Sequence, residues 1–271
     1  ELHFHGDFWQ NSLWLRESKK NIFYNILQKI IVPRADAIRV TSHIIKDKLI
    51  KSGLNEKKIR VINTPVNQLQ FGQALDQDEI LAIKSKYPNK KIILFVGRLV
   101  AAKNLFFLLS AIEKLSVQRK DFVLVIIGAG EQEAELAKAI KEKDLAGIVF
   151  LLGAKNQAEI LPYYRAADLN ILLSTNESFG KVIIEAGIAG TPSLASKTSG
   201  ALSIIEDGKT GWLVEINDLP STVEKMNKIL SSDNLKIVGQ QAKHDFMRDY
   251  SQKNTYEKIQ EFWWQIINDK L

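Results

Sequence analysis

The stretch Leu169-Asn-Ile-Leu-Leu-Ser-Thr-Asn-Glu-Ser-Phe-Gly-Lys-Val-Ile-Ile-Glu-Ala186 decides the fold class of this chain. Its first five residues are mostly apolar and predict a buried strand, and the apolar run after Gly180 predicts a helix. A strand that passes into a helix through a short polar loop is the repeating unit of an α/β fold. Open α/β sheets bind ligands at the carboxyl ends of their strands, so this loop is the first candidate for a functional site.

The loop and the start of the helix carry groups that suit phosphates and hydroxyls. A helix that begins near Gly180 presents free N–H groups and a positive dipole end to a pyrophosphate, and a residue without Cβ lets the backbone approach closely. Glu177 in the loop and Glu185 a little over two turns later can share one side of the site and accept hydrogen bonds from vicinal hydroxyls. An unrelated pair of glutamates is the alternative, because the spacing alone is common.

The alternation of strand and helix extends in both directions from this stretch. Downstream, the predicted strands are 92–96, 122–127, 148–152, 169–173, 193–195 and 212–214, and the predicted helices are 104–117, 131–143, 157–166 and 180–189, with two or three more from residue 221 onward. Upstream, a helix within 11–32, strands at 37–42 and 60–63, and a helix capped by Ser42 and ended by Gly53 repeat the pattern. These features predict an α/β fold with two Rossmann-like parallel sheets, joined by a polar connector at 67–90 that holds one short helix.

A second group of candidate residues lies in Phe95-Val-Gly-Arg-Leu-Val-Ala-Ala-Lys-Asn104. Arg98 and Lys103 follow the first strand of the second sheet and precede a helix. Arginine can bind a diphosphate through its planar fork, and lysine can bind it as a point charge. Alone, such residues are more often solvent-facing loop charges. Together with the helix start near Gly180, they predict a phosphate clamp.

Length and composition limit the classes of protein that remain. A chain of 271 residues favours two domains, or one and a half. The net charge of +6 mildly favours anionic partners, but the basic residues are dispersed among acidic neighbours and do not indicate nucleic-acid binding. The absence of cysteine excludes disulfides and thiolate chemistry, and no apolar run approaches the roughly 18–20 residues that span a bilayer. The start, Glu1-Leu-His-Phe-His-Gly-Asp, is typical of a strand entering a loop and not of a signal peptide, so we expect the beginning of the first domain to be missing.

Several short motifs follow one another in a fixed order. They are Gly97-Arg-Leu-x3-Lys-Asn, Ile126-Ile-Gly-x-Gly, Phe150-Leu-Leu-Gly, Glu177-Ser-Phe-Gly-x4-Glu-Ala, Gly190-Thr-Pro and Ile205-Glu-Asp-Gly-x-x-Gly. Their order and spacing resemble the group 1 glycosyltransferases (family 4 type), which are retaining enzymes of the GT-B fold. Ala35-Asp-Ala-Ile-Arg-Val-Thr-Ser and Lys58-Ile-Arg-Val-Ile-Asn-x-Pro-Val-Asn are similar to the end of that family's N-terminal domain. The resemblance covers essentially the whole chain.

The resemblance implies a role for each matching residue. Glu185 would hold the ribose hydroxyls of a nucleotide, and Arg98 and Lys103 would bind its diphosphate. Glu177, together with the backbone of Ser178, Phe179 and Gly180, would hold the donor sugar and the phosphates. His5 would reach the donor sugar from the first domain, and with Glu177 it forms the predicted catalytic pair; without the resemblance, a loop hydrogen bond would explain this histidine. One segment departs from the family, because 199–203 (Ser-Gly-Ala-Leu-Ser) stands where Gly-Gly-x-x-Glu is common.

The resemblance also implies a domain layout and a reaction. Residues 1–68 would be the last part of the acceptor-side domain, 69–250 the donor-binding domain, and 251–271 a closing helix that packs back toward the first domain. The reaction would be transfer of a sugar, with retention and without metal or cofactor, from a nucleoside-diphosphate sugar to a hydroxyl of a saccharide or lipid-linked saccharide. It would occur in the cytoplasm, or at the inner face of the membrane, in polysaccharide, glycan or glycolipid biosynthesis. The alternatives are a nucleotide-sugar epimerase of the same fold and a non-catalytic binding fragment, and we expect this chain by itself to transfer sugar poorly.

Three further patterns each have two interpretations. Asp76-x-Asp78 resembles a metal motif of another glycosyltransferase fold, but acidic residues there also favour a helix start, which we prefer. Gly128-x-Gly130 either contacts a nucleotide or forms a tight turn. The helix within 11–32 pairs apolar residues with Lys19, Lys20 and Lys29, so it either packs on the sheet, as we expect, or lies on a membrane surface.

Overall fold

A computed structural model describes residues 2–4, 19–66 and 77–269 of the chain. Its first part contains a three-stranded parallel sheet, in the order β1 (Leu2–Phe4), β2 (Ile38–Val40) and β3 (Ile59–Val61). Two helices accompany this sheet, α1 (Lys19–Ile31) and α2 (His43–Lys51). The predicted caps of α2 are confirmed, because Ile45 N–H donates to the Ser42 hydroxyl at 3.3 Å and Gly53 follows the helix with φ +89°.

The second part contains a six-stranded parallel sheet in the order β6-β5-β4-β7-β8-β9. Its strands are β4 (Lys91–Val96), β5 (Phe122–Ile127), β6 (Val149–Leu151), β7 (Leu169–Leu172), β8 (Ser193–Ser196) and β9 (Gly211–Val214). The chain builds outward from β4 to β6, returns to the other side of β4 with β7, and continues to β9. This is the doubly wound order, and its switch point lies between β4 and β7. The predicted α/β class with parallel sheets is confirmed.

Helices cover both faces of the larger sheet. They are α3 (Gln77–Ser85), α4 (Leu105–Gln118), α5 (Glu133–Glu142), α6 (Gln157–Ala166), α7 (Lys181–Ala189), α8 (Ser199–Ile204), α9 (Leu219–Ser231), α10 (Leu235–Asp249) and α11 (Gln252–Asp269). Helix α4 contacts α5 and α9, whereas α3, α6, α7 and α10 contact one another in series. Residues 92–96 and 122–127 of the central strands are all buried, as expected for strands covered on both faces.

The last helix returns to the first part of the chain. Phe262 of α11 is buried against Ala37 and Ile62, in an apolar cluster separate from the core of the larger sheet. Trp263 and Trp264, which follow it, are exposed. Of the aromatic run at 262–264, Phe262 therefore makes the apolar contact between α11 and the first part, and the two tryptophans do not.

Helix α1 differs from the expectation that its apolar face packs on the sheet. Six large apolar or aromatic residues of this helix are about half exposed: Ile22, Phe23, Tyr24, Ile26, Ile30 and Ile31. Asn25 and Gln28 instead have buried side-chain oxygens without a hydrogen-bond partner in the described part of the chain. The helix therefore turns polar groups inward and most of its apolar face outward, so the expectation is wrong for these six residues.

Helix length and hydropathy set whether a segment can span a bilayer. Within residues 2–4, 19–66 and 77–269, no helix is both long enough and apolar enough to cross a membrane.

Candidate functional site at the sheet switch point

The segments that follow β4 and β7 meet at the switch point of the larger sheet. These neighbouring strands are parallel, so their carboxyl ends lie at the same edge. After β4, a turn of 3-10 helix (Ala101–Lys103) leads into α4, and its Ala102 carbonyl accepts a hydrogen bond from Thr175 N–H at 3.0 Å. The structure thus brings together the two stretches that the sequence singled out separately.

An ion pair between Lys103 and Glu177 connects these two segments. Only 17% of each side chain is exposed. The second carboxylate oxygen of Glu177 accepts a hydrogen bond from Gly180 N–H at 3.3 Å, at the N-terminus of α7. A cation and the positive end of a helix dipole therefore face one carboxylate, in the place predicted for the phosphates.

The Glu177–Gly180 loop is held in shape from two sides. Gly180 caps α7 in the left-handed region, with φ +76°, which a glycine adopts without strain. On the other side, Gly200 N–H and the Ser199 hydroxyl donate to the Glu177 carbonyl at 2.8 and 3.3 Å. A Cβ on Gly200 would lie 2.7 Å from the backbone nitrogen of Phe179, so only glycine allows this approach.

The segment that holds the loop is the one that departs from the family pattern. Residues 199–203 belong to α8, which was absent from the predicted helices. Thr198 caps it by accepting a hydrogen bond from Ala201 N–H at 3.3 Å, and α8 also contacts α2 of the first part. Threonine is a favoured N-cap residue, and this cap is the one local signal that the sequence offers for α8.

Phe179 and Ser178 offer backbone rather than exposed side chains. The ring of Phe179 is buried and packs edge-on against Tyr250, with 6.3 Å between the ring centroids. Ser178 is partly buried. The loop therefore uses an aromatic anchor in the core to fix the backbone between Glu177 and Gly180.

Glu185 lies in a separate hydrogen-bonded network. Glu185 is only 8% exposed, and one of its carboxylate oxygens accepts a hydrogen bond from the Tyr164 hydroxyl of α6 at 3.1 Å. The other oxygen lies 3.4 Å from the Lys181 ammonium, one turn earlier in α7. Burial raises the pKa of Glu185 above that of an ordinary carboxyl, and Lys181 and Tyr164 oppose part of this rise.

Arg98 is exposed and makes no hydrogen bond or ion pair within the described ranges. Its backbone position, in contrast, is tightly fixed. Gly97 and Leu99 N–H donate to the carbonyls of Ile127 and Ala129 at 3.0 and 2.9 Å. The structure thus leaves a free guanidinium on a rigid backbone at the carboxyl end of β4.

The glycines at 128 and 130 explain how the two loops approach so closely. A Cβ on Gly128 would lie 1.8 Å from the Gly97 carbonyl oxygen, and one on Gly130 would lie 2.3 Å from the Leu99 carbonyl oxygen. Both positions therefore require glycine for backbone packing around Arg98, which is a structural role that neither earlier interpretation included.

Two of the predicted features lie outside the described residues. These features are His5 and Asp76. The structure therefore describes no position for the predicted catalytic histidine. Asp78 and Glu79 occupy the first turn of α3, in agreement with the helix-start interpretation. The described residues contain no group of three or more histidine, aspartate or glutamate side chains that could hold a metal ion.

Comparison with known proteins identifies related sequences and folds. The family described as "Glycosyl transferases group 1" matches residues 76–245. D-inositol 3-phosphate glycosyltransferase of Corynebacterium jeikeium is 30% identical over 84% of this chain and 57% of that protein. The capsular polysaccharide biosynthesis glycosyltransferase CapM of Staphylococcus aureus is 25% identical over 88% of this chain and 64% of that protein. This chain therefore spans less than two thirds of the length of either relative.

A similar fold is found among solved structures. The Anabaena protein HepE, in a crystal structure with UDP, superposes with a TM-score of 0.83 at 20% identity, over 97% of this chain and 72% of that one. At this identity, the likeness concerns the fold, which is that of a GT-B protein.

Proposed function

The chain belongs to the group 1 glycosyltransferases, and from this premise we propose that it binds a nucleoside-diphosphate sugar and transfers the sugar, with retention, to a hydroxyl acceptor. The relatives are named for inositol phosphate and capsular polysaccharide glycosyltransfer, which supports a saccharide or lipid-linked saccharide as the acceptor. Because the chain spans only part of these relatives, transfer by the 271 residues themselves is expected to be slow.

The observation that carries this proposal is the junction of Lys103 and Glu177 beside the start of α7. In the proposal, Lys103 and the free guanidinium of Arg98 bind the diphosphate, assisted by backbone N–H groups of Ser178, Phe179 and Gly180. Glu185 binds the ribose hydroxyls, and Glu177 orients the donor sugar. His5 acts with Glu177 at the sugar.

The same groups account for the chemical step. As the bond between sugar and phosphate breaks, negative charge develops on the leaving diphosphate, and cations already in place stabilise it without rearrangement. Arg98 and Lys103 supply the positive charge that stabilises the leaving diphosphate, so the proposed reaction requires neither a metal ion nor a cofactor. In a retaining reaction on one face, the departing diphosphate can also accept the proton of the attacking hydroxyl.

Donor binding is tested by calorimetry with UDP, GDP and ADP on the wild type and on Glu185→Ala. We expect at least one nucleotide to bind, and the substitution to weaken that binding by about 1–3 kcal/mol, the range for loss of a charged hydrogen-bond partner. Glu224→Ala, on the exposed surface of α9, is the matched control and should bind as the wild type does. Unchanged affinity in Glu185→Ala would remove this residue from the site.

Transfer is tested separately, with sugar nucleotides of the base that binds and with saccharide acceptors. NMR of the product should show the anomeric configuration of the donor. Inverted product would contradict retention, and a new sugar nucleotide formed from donor alone would contradict transfer and indicate an epimerase.

We propose in addition that α1 contacts a membrane surface. The support is its outward apolar face together with exposed Lys20 and Lys29, since interfacial helices combine apolar burial with attraction to anionic lipids. Such contact would hold the protein at the cytoplasmic face, beside a lipid-linked acceptor.

A further inference from the structure

We propose that Tyr164 is a positioning residue for Glu185: its hydroxyl fixes one oxygen of the carboxylate so that the other remains available to the ribose of the donor. This inference rests on the proposed function, because it needs Glu185 to bind ribose. Tyr164 lies on α6, outside every motif that the sequence singled out.

The ring of Tyr164 is anchored in the core, and its hydroxyl points toward Glu185. The residue is fully buried in the core of the larger sheet. Its backbone carbonyl accepts a hydrogen bond from the Thr191 hydroxyl, at the end of α7 and before β8. From this position the Tyr164 hydroxyl reaches Glu185 across the contact between α6 and α7, at 3.1 Å.

The two oxygens of Glu185 therefore have different surroundings. Oε2 faces the buried Tyr164 hydroxyl, whereas Oε1 faces Lys181, whose side chain is 49% exposed. Oε1 thus lies beside the more exposed of the two partners. Two ribose hydroxyls need a carboxylate held in one orientation, and a buried hydrogen bond supplies that restraint before the ligand arrives.

The same contact favours the ionised carboxylate. Burial and the nearby negative charge raise the pKa of Tyr164 well above its usual value, so it remains protonated and donates. Burial raises the pKa of Glu185, and the titratable groups that oppose this rise are Lys181 on α7 and Tyr164 on α6. A protonated Glu185 would lose acceptor capacity, so removal of the tyrosine hydroxyl should weaken ribose binding most at low pH.

The test uses Tyr164→Phe, which keeps the buried ring, with Tyr87→Phe as the matched control. Tyr87 is also a buried tyrosine of the same core, packed against Phe150, and lies outside the proposed site. The carboxyl carbon of Glu185 is titrated by NMR in protein labelled at the glutamate carboxyls, its signal being assigned by its loss in Glu185→Gln. Calorimetry with UDP, GDP and ADP follows binding over the same pH range; ionisation of the nucleotide itself is common to all variants and cancels.

We expect Tyr164→Phe to move the Glu185 midpoint to higher pH and to weaken nucleotide binding about three- to tenfold at neutral pH. Binding should recover in part as pH rises, because higher pH restores the ionised carboxylate but not the restraint on its orientation. Tyr87→Phe should change neither quantity.

An unchanged Glu185 midpoint in Tyr164→Phe would overturn the inference, and so would nucleotide binding as tight as in the wild type at every pH. If no nucleotide binds to the wild type, the proposed function fails, and the carboxyl titration still decides whether Tyr164 controls Glu185.

Discussion

Lys103 and Glu177 form an ion pair across the switch point of the larger sheet, joining the segment after β4 to the segment after β7. Their residues are distant in sequence and carry opposite charges, and both are assigned to the donor in the proposed function. In this structure the Lys103 ammonium and the Glu177 carboxylate therefore bind each other and not a ligand. A diphosphate that binds Lys103 has to share this ammonium with Glu177 or displace the glutamate. The displaced carboxylate oxygen could then accept a hydrogen bond from a sugar hydroxyl.

Substitution of Glu177 by Gln should tighten the binding of a nucleoside diphosphate while it slows sugar transfer. Gln keeps an acceptor for Gly180 N–H but removes the charge that competes with phosphate. Because the pair is mostly buried, solvent screens little of the charge that Glu177 places beside Lys103, and its removal should raise the affinity about two- to fivefold. Calorimetry measures this, with Glu113→Gln as control, since Glu113 pairs with Lys143 away from the site. Weaker binding of every nucleotide would show that Glu177 does not compete with phosphate.

Arg98 and Lys103 should act on phosphate rather than on the base or ribose. Replacing either by Ala should cost a nucleoside diphosphate about 1–3 kcal/mol and the matching nucleoside much less. The loss at Arg98 should shrink in high salt, because this charge is exposed and therefore screened. Lys114→Ala, an exposed lysine on α4, provides the control. Equal losses for nucleotide and nucleoside would exclude phosphate contacts.

Gly130→Ala should destabilise the protein and displace the segment that carries Arg98. The added Cβ would meet the Leu99 backbone, which cannot move without breaking the contacts between the loops of β4 and β5. We expect a loss of about 1–3 kcal/mol in urea unfolding, the usual cost of forcing a methyl into packed structure. Gly147→Ala is the control, because a Cβ there meets nothing within 4 Å. Equal stability of the two variants would refute the packing role of Gly130.

Helix α1 should bind vesicles that contain anionic lipid. We expect co-sedimentation with phosphatidylcholine vesicles that include phosphatidylglycerol, and weaker binding without it. Phe23→Glu combined with Ile26→Glu should abolish binding, whereas Val117→Glu, at an exposed apolar residue of α4, should not. Binding that is equal for both variants would exclude α1 as the contact.

The sheet and most helices could be predicted because their signals are local. The strand at 122–127 and the helix at 157–166 have the predicted bounds, and the other elements for which both bounds were predicted differ by one or two residues at their ends. Long apolar runs between polar loops are the strongest signal of a parallel sheet. The sequence also predicted that Arg98 and Lys103 act together with the helix start near Gly180. The structure supplies the reason for their proximity, since β4 and β7 are neighbouring parallel strands that end at one edge.

What the sequence did not reveal depends on contacts between distant residues. Helix α8 is short, and its packing on the Glu177 loop involves a backbone approach at Gly200 that no local pattern indicates. The hydrogen bond of Tyr164 has no local signal in the sequence, because the partner of its hydroxyl lies on another helix. The apolar periodicity of α1 predicted a helix correctly but not which face turns inward.

Glu185→Gln should make the protein more stable at neutral pH while it weakens nucleotide binding. Because burial raises the pKa of Glu185, the folded state favours the protonated carboxyl. The stability that this preference adds is fully present below the unfolded-state pKa, near about 4.3, and is lost as pH rises through the folded-state value. Gln resembles the protonated form at every pH.

The variant should therefore exceed the wild type by about 0.5–2 kcal/mol at neutral pH, a range common where function retains an unfavourable group. The difference should vanish toward about pH 4, where both side chains are neutral. Thermal unfolding at several pH values measures it. Glu224→Gln is the control, because the pKa of Glu224 is shifted in the opposite direction: Lys228 lowers it. This variant should therefore be no more stable than the wild type at neutral pH. A Glu185→Gln protein that unfolds more easily at neutral pH would mean that Tyr164 and Lys181 more than offset the burial of the charge.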